Sequence, residues 1–242
     1  MPIRLTNQNV LVVGGSSGIG REVARLFVQE GAQVMVAARR IERLKALQDE
    51  LAEQGKAVRI SKADTACLDD MERLGQEALS QFERLDILVY AAGTNTHDRS
   101  LSRLTPQIWS SLIEVNLNGA YYITQTVLPG MRSARSGHLI FISSISGLLP
   151  DVSGAAYQAS KRGLVGFAHA IRVEEKENGI RTSVVCPGLV DTELIDKRPV
   201  KPSAETLNKA LKPVDVADLV LAIAKMPAHV VVPEVQILPT YL

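Results

Sequence analysis

The sequence predicts an α/β fold: a doubly wound parallel sheet of about seven strands with helices on both faces. Three observations predict it. Short apolar runs alternate with helical patterns along the whole chain. A glycine-rich turn joins the first apolar run to the first helical pattern. The length, 242 residues, suits one domain with a sizeable core.

Asn9 to Val13 is short and apolar, as a strand buried on both faces is. Gly14-Gly15-Ser16-Ser17-Gly18-Ile19-Gly20 follows, then a helical pattern over 19–30 with Val23, Leu26 and Phe27 inward. Gly31 is a natural stop for it. The same alternation predicts strands near 33–37, 57–63, 86–91, 138–143, 181–185 and 230–237. Helices are predicted near 41–54, 68–83, 106–132, 155–178 and 215–226. Thr105-Pro106 is a good helix start, with proline in the first turn. Segment 188–212, rich in Pro, Lys and polar residues, reads as a linker or, from its place after the sixth strand, as a substrate-covering lid. Ligands of open α/β sheets bind beyond the carboxyl ends of the strands. Gly14–Gly20, Gly93, Ser144 and Gly188 all fall at such ends.

Bulk properties exclude several function classes. A net charge of +1 implies no general attraction to nucleic acid or to an anionic membrane. No apolar run is long enough to span a bilayer, and Met1 to Gln8 is too short for a signal peptide. Cys67 and Cys186 have neither paired nor metal-like spacing. The four histidines are scattered, so no metal site is expected. A reducing, cytoplasmic location is the default expectation.

Two constellations carry chemistry. Strand, glycine turn and helix together make a site for a pyrophosphate: Gly14 takes the tight turn, Gly18 lets backbone approach a phosphate, and Gly20 lets the helix pack close to the strand. The alternative is a flexible surface turn. Tyr157 and Lys161, four residues apart, share one face of a helix. An ammonium beside a phenol favours the phenolate, so the pair is expected to lower the Tyr157 pKa and serve as an acid/base device. Ser144 ends the apolar run from His138 to Ser143, which brings its hydroxyl out beside that helix. Taken alone, Tyr-x-x-x-Lys is more often ordinary helix surface.

Gly-x-x-x-Gly-x-Gly with Ser144, Tyr157 and Lys161 resembles the short-chain dehydrogenase/reductase family, over most of the chain from about Asn9 to Thr192. Ala91-Ala92-Gly93, Asn116 in Val115-Asn116-Leu117-Asn118-Gly119, and Pro187-Gly188 followed by Thr192 match further motifs. The resemblance implies a single-domain Rossmann-type fold. It also implies hydride transfer between a nicotinamide and a ketone or secondary alcohol. Ser144 would hydrogen-bond the substrate oxygen and Tyr157 would be the general acid or base. Lys161 would tune Tyr157 and bind the nicotinamide ribose, and Asn116 would hold a water connected to Lys161. Cofactor contacts are implied at Gly14, Ser16, Ser17, Gly18, Ile19, Gly20, Asp64, Thr65, Ala92, Gly93, Tyr157, Lys161, Pro187, Gly188, Val190 and Thr192. Read without the resemblance, Asp64 caps the next helix, Asn116 is a polar helix-turn residue and Ser144 is a turn hydroxyl.

The chain departs from the family pattern in three places: Val13 replaces a common Thr, Tyr90-Ala91 replaces an Asn pair, and the carboxyl-terminal tail is unusual. That tail looks more like a subgroup acting on small 3-hydroxy acids and related alcohols. After the second strand, Ala38 stands where an NAD-preferring site places an acidic residue, and Arg39-Arg40 follow. A guanidinium can hold a ribose 2′-phosphate with paired hydrogen bonds, so NADP(H) is expected in preference to NAD(H). Otherwise the two arginines are solvated residues before a helix.

A mainly apolar substrate pocket is expected from Ser146, Leu148, Leu149, Val152, Leu189, Val190, Leu194 and Ile195. Arg99, Arg103, Lys197 and Arg198 read better as solvated surface than as contacts for a carboxylate or an acyl-carrier phosphopantetheine. Arg135 lies near where 3-oxoacyl-acyl-carrier-protein reductases place a carrier-docking arginine. Three functions follow: a carbonyl reductase or alcohol dehydrogenase on a small-molecule substrate, a 3-oxoacyl-acyl-carrier-protein reductase, or a non-catalytic NADP(H)-binding sensor. Gly163, Gly166 and Ala170 are expected on the outer face of helix 155–178. They suit a homodimer or homotetramer packed through that helix.

Overall fold

The computed structural model describes residues 5–241. The first four residues of the Met1-to-Gln8 stretch weighed above as a signal peptide lie outside them. Seven strands are present: β1 Asn9–Val13, β2 Gln33–Ala38, β3 Arg59–Lys62, β4 Ile87–Tyr90, β5 Gly137–Ile142, β6 Ile180–Pro187 and β7 Glu234–Ile237. They form one parallel sheet in the order β3-β2-β1-β4-β5-β6-β7. The chain winds outward from β1 through β2 to β3, then returns to β4 on the other side of β1. The direction of winding therefore reverses between β1 and β4, where an open α/β sheet leaves a crevice.

Helices α1 Gly18–Gln29, α2 Ile41–Glu53 and α8 Pro213–Ala224 cover one face. Helices α3 Leu68–Phe82, α5 Gly119–Ala134 and α6 Ala155–Glu175 cover the other. Successive strand residues serve opposite layers, as the two-residue repeat demands. Leu11 and Val13 join the α3/α5/α6 core, while Val10 and Val12 join the α1/α2/α8 core. Burial on both faces is why these strands read as continuous apolar runs.

The helix expected over 106–132 is not uniform. Helix α4 covers Pro106–Ile113, with Thr105 Oγ1 accepting from the Ile108 amide. A wider π-type turn then spans Glu114–Asn118 before α5 begins. The Tyr90 hydroxyl, fully buried, donates to the Val115 carbonyl inside this turn at 2.6 Å. An asparagine at that place would be too short to act the same way, so the departure at Tyr90 supplies a different tie rather than losing one.

Two other elements differ from expectation. The last strand begins at Glu234 rather than near 230, because Pro233 has no N–H to give and joins the ladder only through its carbonyl, which accepts from Val184. Segment 188–212 is partly ordered into a 3₁₀ turn at Glu193–Lys197 and a short helix α7 at Ala204–Lys209. Its two ends are clasped by backbone bonds from Asp191 to Leu211 and from Leu211 to Leu189. Gly166 and Ala170 lie exposed on α6, but Gly163 turns inward against Leu117, so the small-residue face is narrower than expected.

Tyr90→Phe should lower stability by about 1–2 kcal/mol, because the Val115 carbonyl loses its buried donor. For a domain of this size that is a fall of roughly 2–8 °C in thermal midpoint. An unchanged midpoint would remove Tyr90 as the anchor of the wide turn.

Candidate active site

The site is assembled where β1 and β4 end. Gly14 has φ +91°, and a Cβ there would lie 2.4 Å from the Ala92 nitrogen. No other residue type lets the first loop lie against the fourth in this way. Gly20 is likewise crowded, its absent Cβ falling 2.5 Å from the Gly14 carbonyl. Helix α1 therefore starts directly beneath the turn. Ser17 precedes α1 without capping it through its side chain, and the first turn carries no acidic residue. Its amides are left to face the cavity, a natural place for an anion.

That cavity has a volume of about 390 Å³ and extends from Arg39 and Arg40, past the glycine turn, to Ser144, Tyr157 and Lys161. Every residue expected at the cofactor lines it except Asp64, whose carboxylate instead accepts from the Ala66 amide at 3.1 Å. Asp64 is not the cap of α3 either, since Cys67 occupies that place with no side-chain bond. Arg40, rather than Arg39, is the better fixed guanidinium: it donates to Ser16 Oγ at 3.1 Å and Ser17 Oγ at 2.8 Å. Glu193, from segment 188–212, pairs with Arg40 and Arg43. Arg43 first and then Arg40 hold its carboxyl below the ordinary range.

At the other end, Tyr157 and Lys161 come from one face of α6, and Ser144 stands at the end of the loop that leaves β5. Ser144 both lines the cavity and caps the short turn Ile145–Gly147, accepting from the Ser146 amide at 3.2 Å. Burial pushes the Tyr157 hydroxyl above its ordinary value, and the Ser144 hydroxyl draws it back. Among the described residues, Lys161 makes no hydrogen bond to the Tyr157 hydroxyl. Lys161 Nζ lies 5.9 Å from the Tyr157 ring centre and donates to the Ile142 carbonyl at 3.0 Å. The cations that do lower Tyr157 are Arg198 and Arg99. Lys161 is itself brought down to about 8 by burial.

Asn116 does not line the cavity. It is fully buried in the wide turn and clamps the backbone of Thr94, accepting from its amide at 2.7 Å and donating to its carbonyl at 3.0 Å. Its second N–H goes to Ser160 Oγ at 2.9 Å, and Ser160 donates to the Tyr157 carbonyl. Sequence reasoning missed Ser160 and also Ser143, whose hydroxyl donates to the Lys161 carbonyl. Both serines flank positions already singled out, which was the available signal.

A model of the family described as short chain dehydrogenase matches residues 8–202. The chain belongs to that family. Among curated relatives of this short-chain dehydrogenase, an uncharacterized oxidoreductase of Staphylococcus aureus strain USA300 is 32% identical over 235 residues, 97% of this chain and 98% of the relative. A 3-oxoacyl-acyl-carrier-protein reductase of Chlamydia trachomatis is 36% identical over 191 residues, 78% and 77% of the two chains. The crystal structure of a metagenomic short-chain oxidoreductase in complex with NADP superposes with a TM-score of 0.85 at 32% identity, covering 98% of this chain and 99% of the other. The short-chain dehydrogenase fold and the oxidoreductase family thus agree. No described helix is long and apolar enough to cross a membrane.

The pocket beside Tyr157 corrects the expectation of an apolar lining. Leu189, Val190, Leu194 and Ile195 face it, but Leu148 packs into the core, and Leu149 and Val152 are exposed. In their place come Asn95, Arg99, Asp151, Ser153, Lys197 and Arg198. Arg99 and Arg198, both half-buried, therefore belong to the cavity wall, and Lys197 lines it from an exposed position.

Lys161 offers a pH test. Its folded pKa lies below the unfolded one, so between about pH 8 and 10.5 the unfolded chain binds the extra proton and stability rises with pH. Relative to Lys161→Met, the parent protein should gain up to about 3 kcal/mol across that window. Denaturant unfolding of both proteins measures it, and a constant difference would show that burial does not govern Lys161.

Proposed function

We propose that the protein is an NADP(H)-dependent oxidoreductase that interconverts a small-molecule ketone and its secondary alcohol. The observation that carries this reading is one cavity with the bare amino end of α1 at one side and the Ser144, Tyr157 and Lys161 side chains at the other. The residues fit a nicotinamide dinucleotide. The uncapped first turn of α1 suits a pyrophosphate, and the bare Gly14 lets the turn before that helix lie against the Ala92 backbone. When bound, such a cofactor supplies or accepts the hydride.

The chain's own groups supply the rest. Reduction builds negative charge on the substrate oxygen. Ser144 Oγ donates a hydrogen bond to that oxygen, and the Tyr157 hydroxyl delivers its proton there. A hydroxyl raised by burial stays protonated at neutral pH, which suits the acid role. In the reverse direction Tyr157 takes the proton from the alcohol. Lys161 lies within the same buried wall and would hold the nicotinamide ribose. Asn116 acts at a distance, fixing Thr94 and Ser160 around the pair. Segment 188–212 is the lid, since residues from it line both ends of the cavity.

NADP(H) is preferred because Arg39 and Arg40 line the cavity beside the glycine turn, with Arg43 joined to Arg40 through Glu193 and no acidic residue at position 38. Glu193 now holds two of these arginines and must yield them to a phosphate. The acyl-carrier reading is supported by the chlamydial relative. Against it, Arg135 closes the end of α5 and donates to the Glu177 carbonyl, well apart from the cavity wall. A reducing, cytoplasmic setting suits the unpaired Cys67 and Cys186.

Tyr157→Phe should keep NADPH affinity, read by cofactor fluorescence, and lose about 100-fold or more in ketone reduction. Unchanged turnover would overturn the proton-transfer role, and a parent protein that binds NADPH but turns over no carbonyl compound would favour the sensor. Arg40→Ala should weaken NADPH binding about tenfold or more relative to NADH, because one charge-assisted contact to the phosphate is lost. Equal weakening of both cofactors would remove Arg40 from phosphate recognition.

A further inference from the structure

We infer that the substrate carries a carboxylate, held by Arg99 and Arg198 while its carbonyl faces Ser144 and Tyr157. This rests on the reductase reading above and narrows the substrate to short oxo acids and their hydroxy acids.

Arg99, Lys197 and Arg198 line the cavity at its substrate end. Among the described residues, none of the three has an aspartate or glutamate within ion-pair distance, although their neighbours do. Arg103 pairs with Asp98 at 3.7 Å and Lys201 with Asp196 at 2.6 Å. At this end of the cavity Arg103 and Lys201 are compensated, and Arg99, Lys197 and Arg198 are not. Arg99 is half-buried and fixed in place, donating through Nε to the Thr96 carbonyl and through Nη2 to the Lys197 carbonyl. These are neutral acceptors, so they orient the guanidinium without cancelling its charge.

The two guanidiniums are near enough to feel each other and the reacting hydroxyl. Burial first, then Arg198, draws Arg99 below its ordinary value, and both arginines lower Tyr157. The carboxylate facing the same space is Asp151. It already accepts from Ser146 Oγ, the Ser153 amide and Ser153 Oγ, at 2.5, 2.8 and 3.0 Å. Its charge still acts on Arg99, but Arg99, Lys197 and Arg198 outnumber it, so an anion entering from solvent meets net positive charge beside Tyr157. Asp151 nearby favours a monoanion over a dianion, which selects a carboxylate over a phosphate. The bound anion would offset the mutual repulsion of the arginines, so the ligand completes the wall rather than merely touching it.

The test measures NADPH oxidation with short oxo acids, the oxo group at the second, third or fourth carbon, each beside its methyl ester. The acid should be favoured in kcat/KM by about tenfold or more, as a charge-assisted contact provides. Arg198→Gln should reduce that ratio to near one, mainly through KM, and Arg198→Lys should restore part of it. Among the described residues the Arg198 side chain makes no hydrogen bond, only its backbone N–H bonding to the Ile195 carbonyl, so its replacement leaves the fold intact where that of Arg99 would not. Ester turnover equal to or above acid turnover, or an acid-to-ester ratio unmoved by Arg198→Gln, overturns this inference and leaves the reductase reading standing. No NADPH oxidation with any acid or ester overturns both.

Discussion

The structure depends on how closely the ends of β1 and β4 approach each other. Gly14 fits against the Ala92 backbone because it has no side chain, while its amide bonds to the Ala37 carbonyl and Ala91 bonds to Val13. That contact fixes three strand ends at once. It sets where α1 begins, how its free amides point, and how far the crevice opens toward β5 and α6. A side chain at position 14 would push β4 away from β1 and, with it, the Thr94 backbone that Asn116 clamps.

From that contact outward the site divides by polarity. At the α1 end, backbone dipoles and arginines await negative charge, partly satisfied by the exposed Glu193 carboxylate. In the middle, burial governs: it raises Tyr157, lowers Lys161, and makes the Ile142 carbonyl a partner that Lys161 needs. At the far end, hydroxyls gather round Asp151 and leave the arginines free. The same chain thus presents a fixed dipole, a buried phenol and an electrostatic pocket along one groove, each held by a different part of the fold.

The sheet was legible because strands buried on both faces must be apolar throughout, and the glycine turn was legible because its spacing has few other uses. Residues carried on those elements were found directly. What stayed hidden depended on contacts distant in sequence. Nothing near Asn116 announces a wide turn, since the turn is selected by Tyr90 reaching across from β4. The Tyr-Lys pair was visible, but its electrostatics were not, because α6 alone does not reveal that Lys161 meets the Ile142 carbonyl. The pocket was misjudged for a related reason. Arg99 and Arg198 stand in flexible-looking, polar stretches, and only the folding of segment 188–212 against the loop after β4 turns them toward Tyr157.

The wide turn at Glu114–Asn118 sets the quality of a helix against the placement of a side chain. It amounts to a one-residue insertion in an otherwise continuous rod from Pro106 to Ala134. Deleting one residue would give that rod an unbroken α-helical ladder and a more regular helix. The flanking helices would keep their faces, because the wide turn already absorbs the extra residue. What would be lost is the displaced backbone that carries Asn116 to Thr94 and Ser160. The locally better helix is therefore the worse protein, and shortening this rod to gain thermal stability would dismantle the groove it supports.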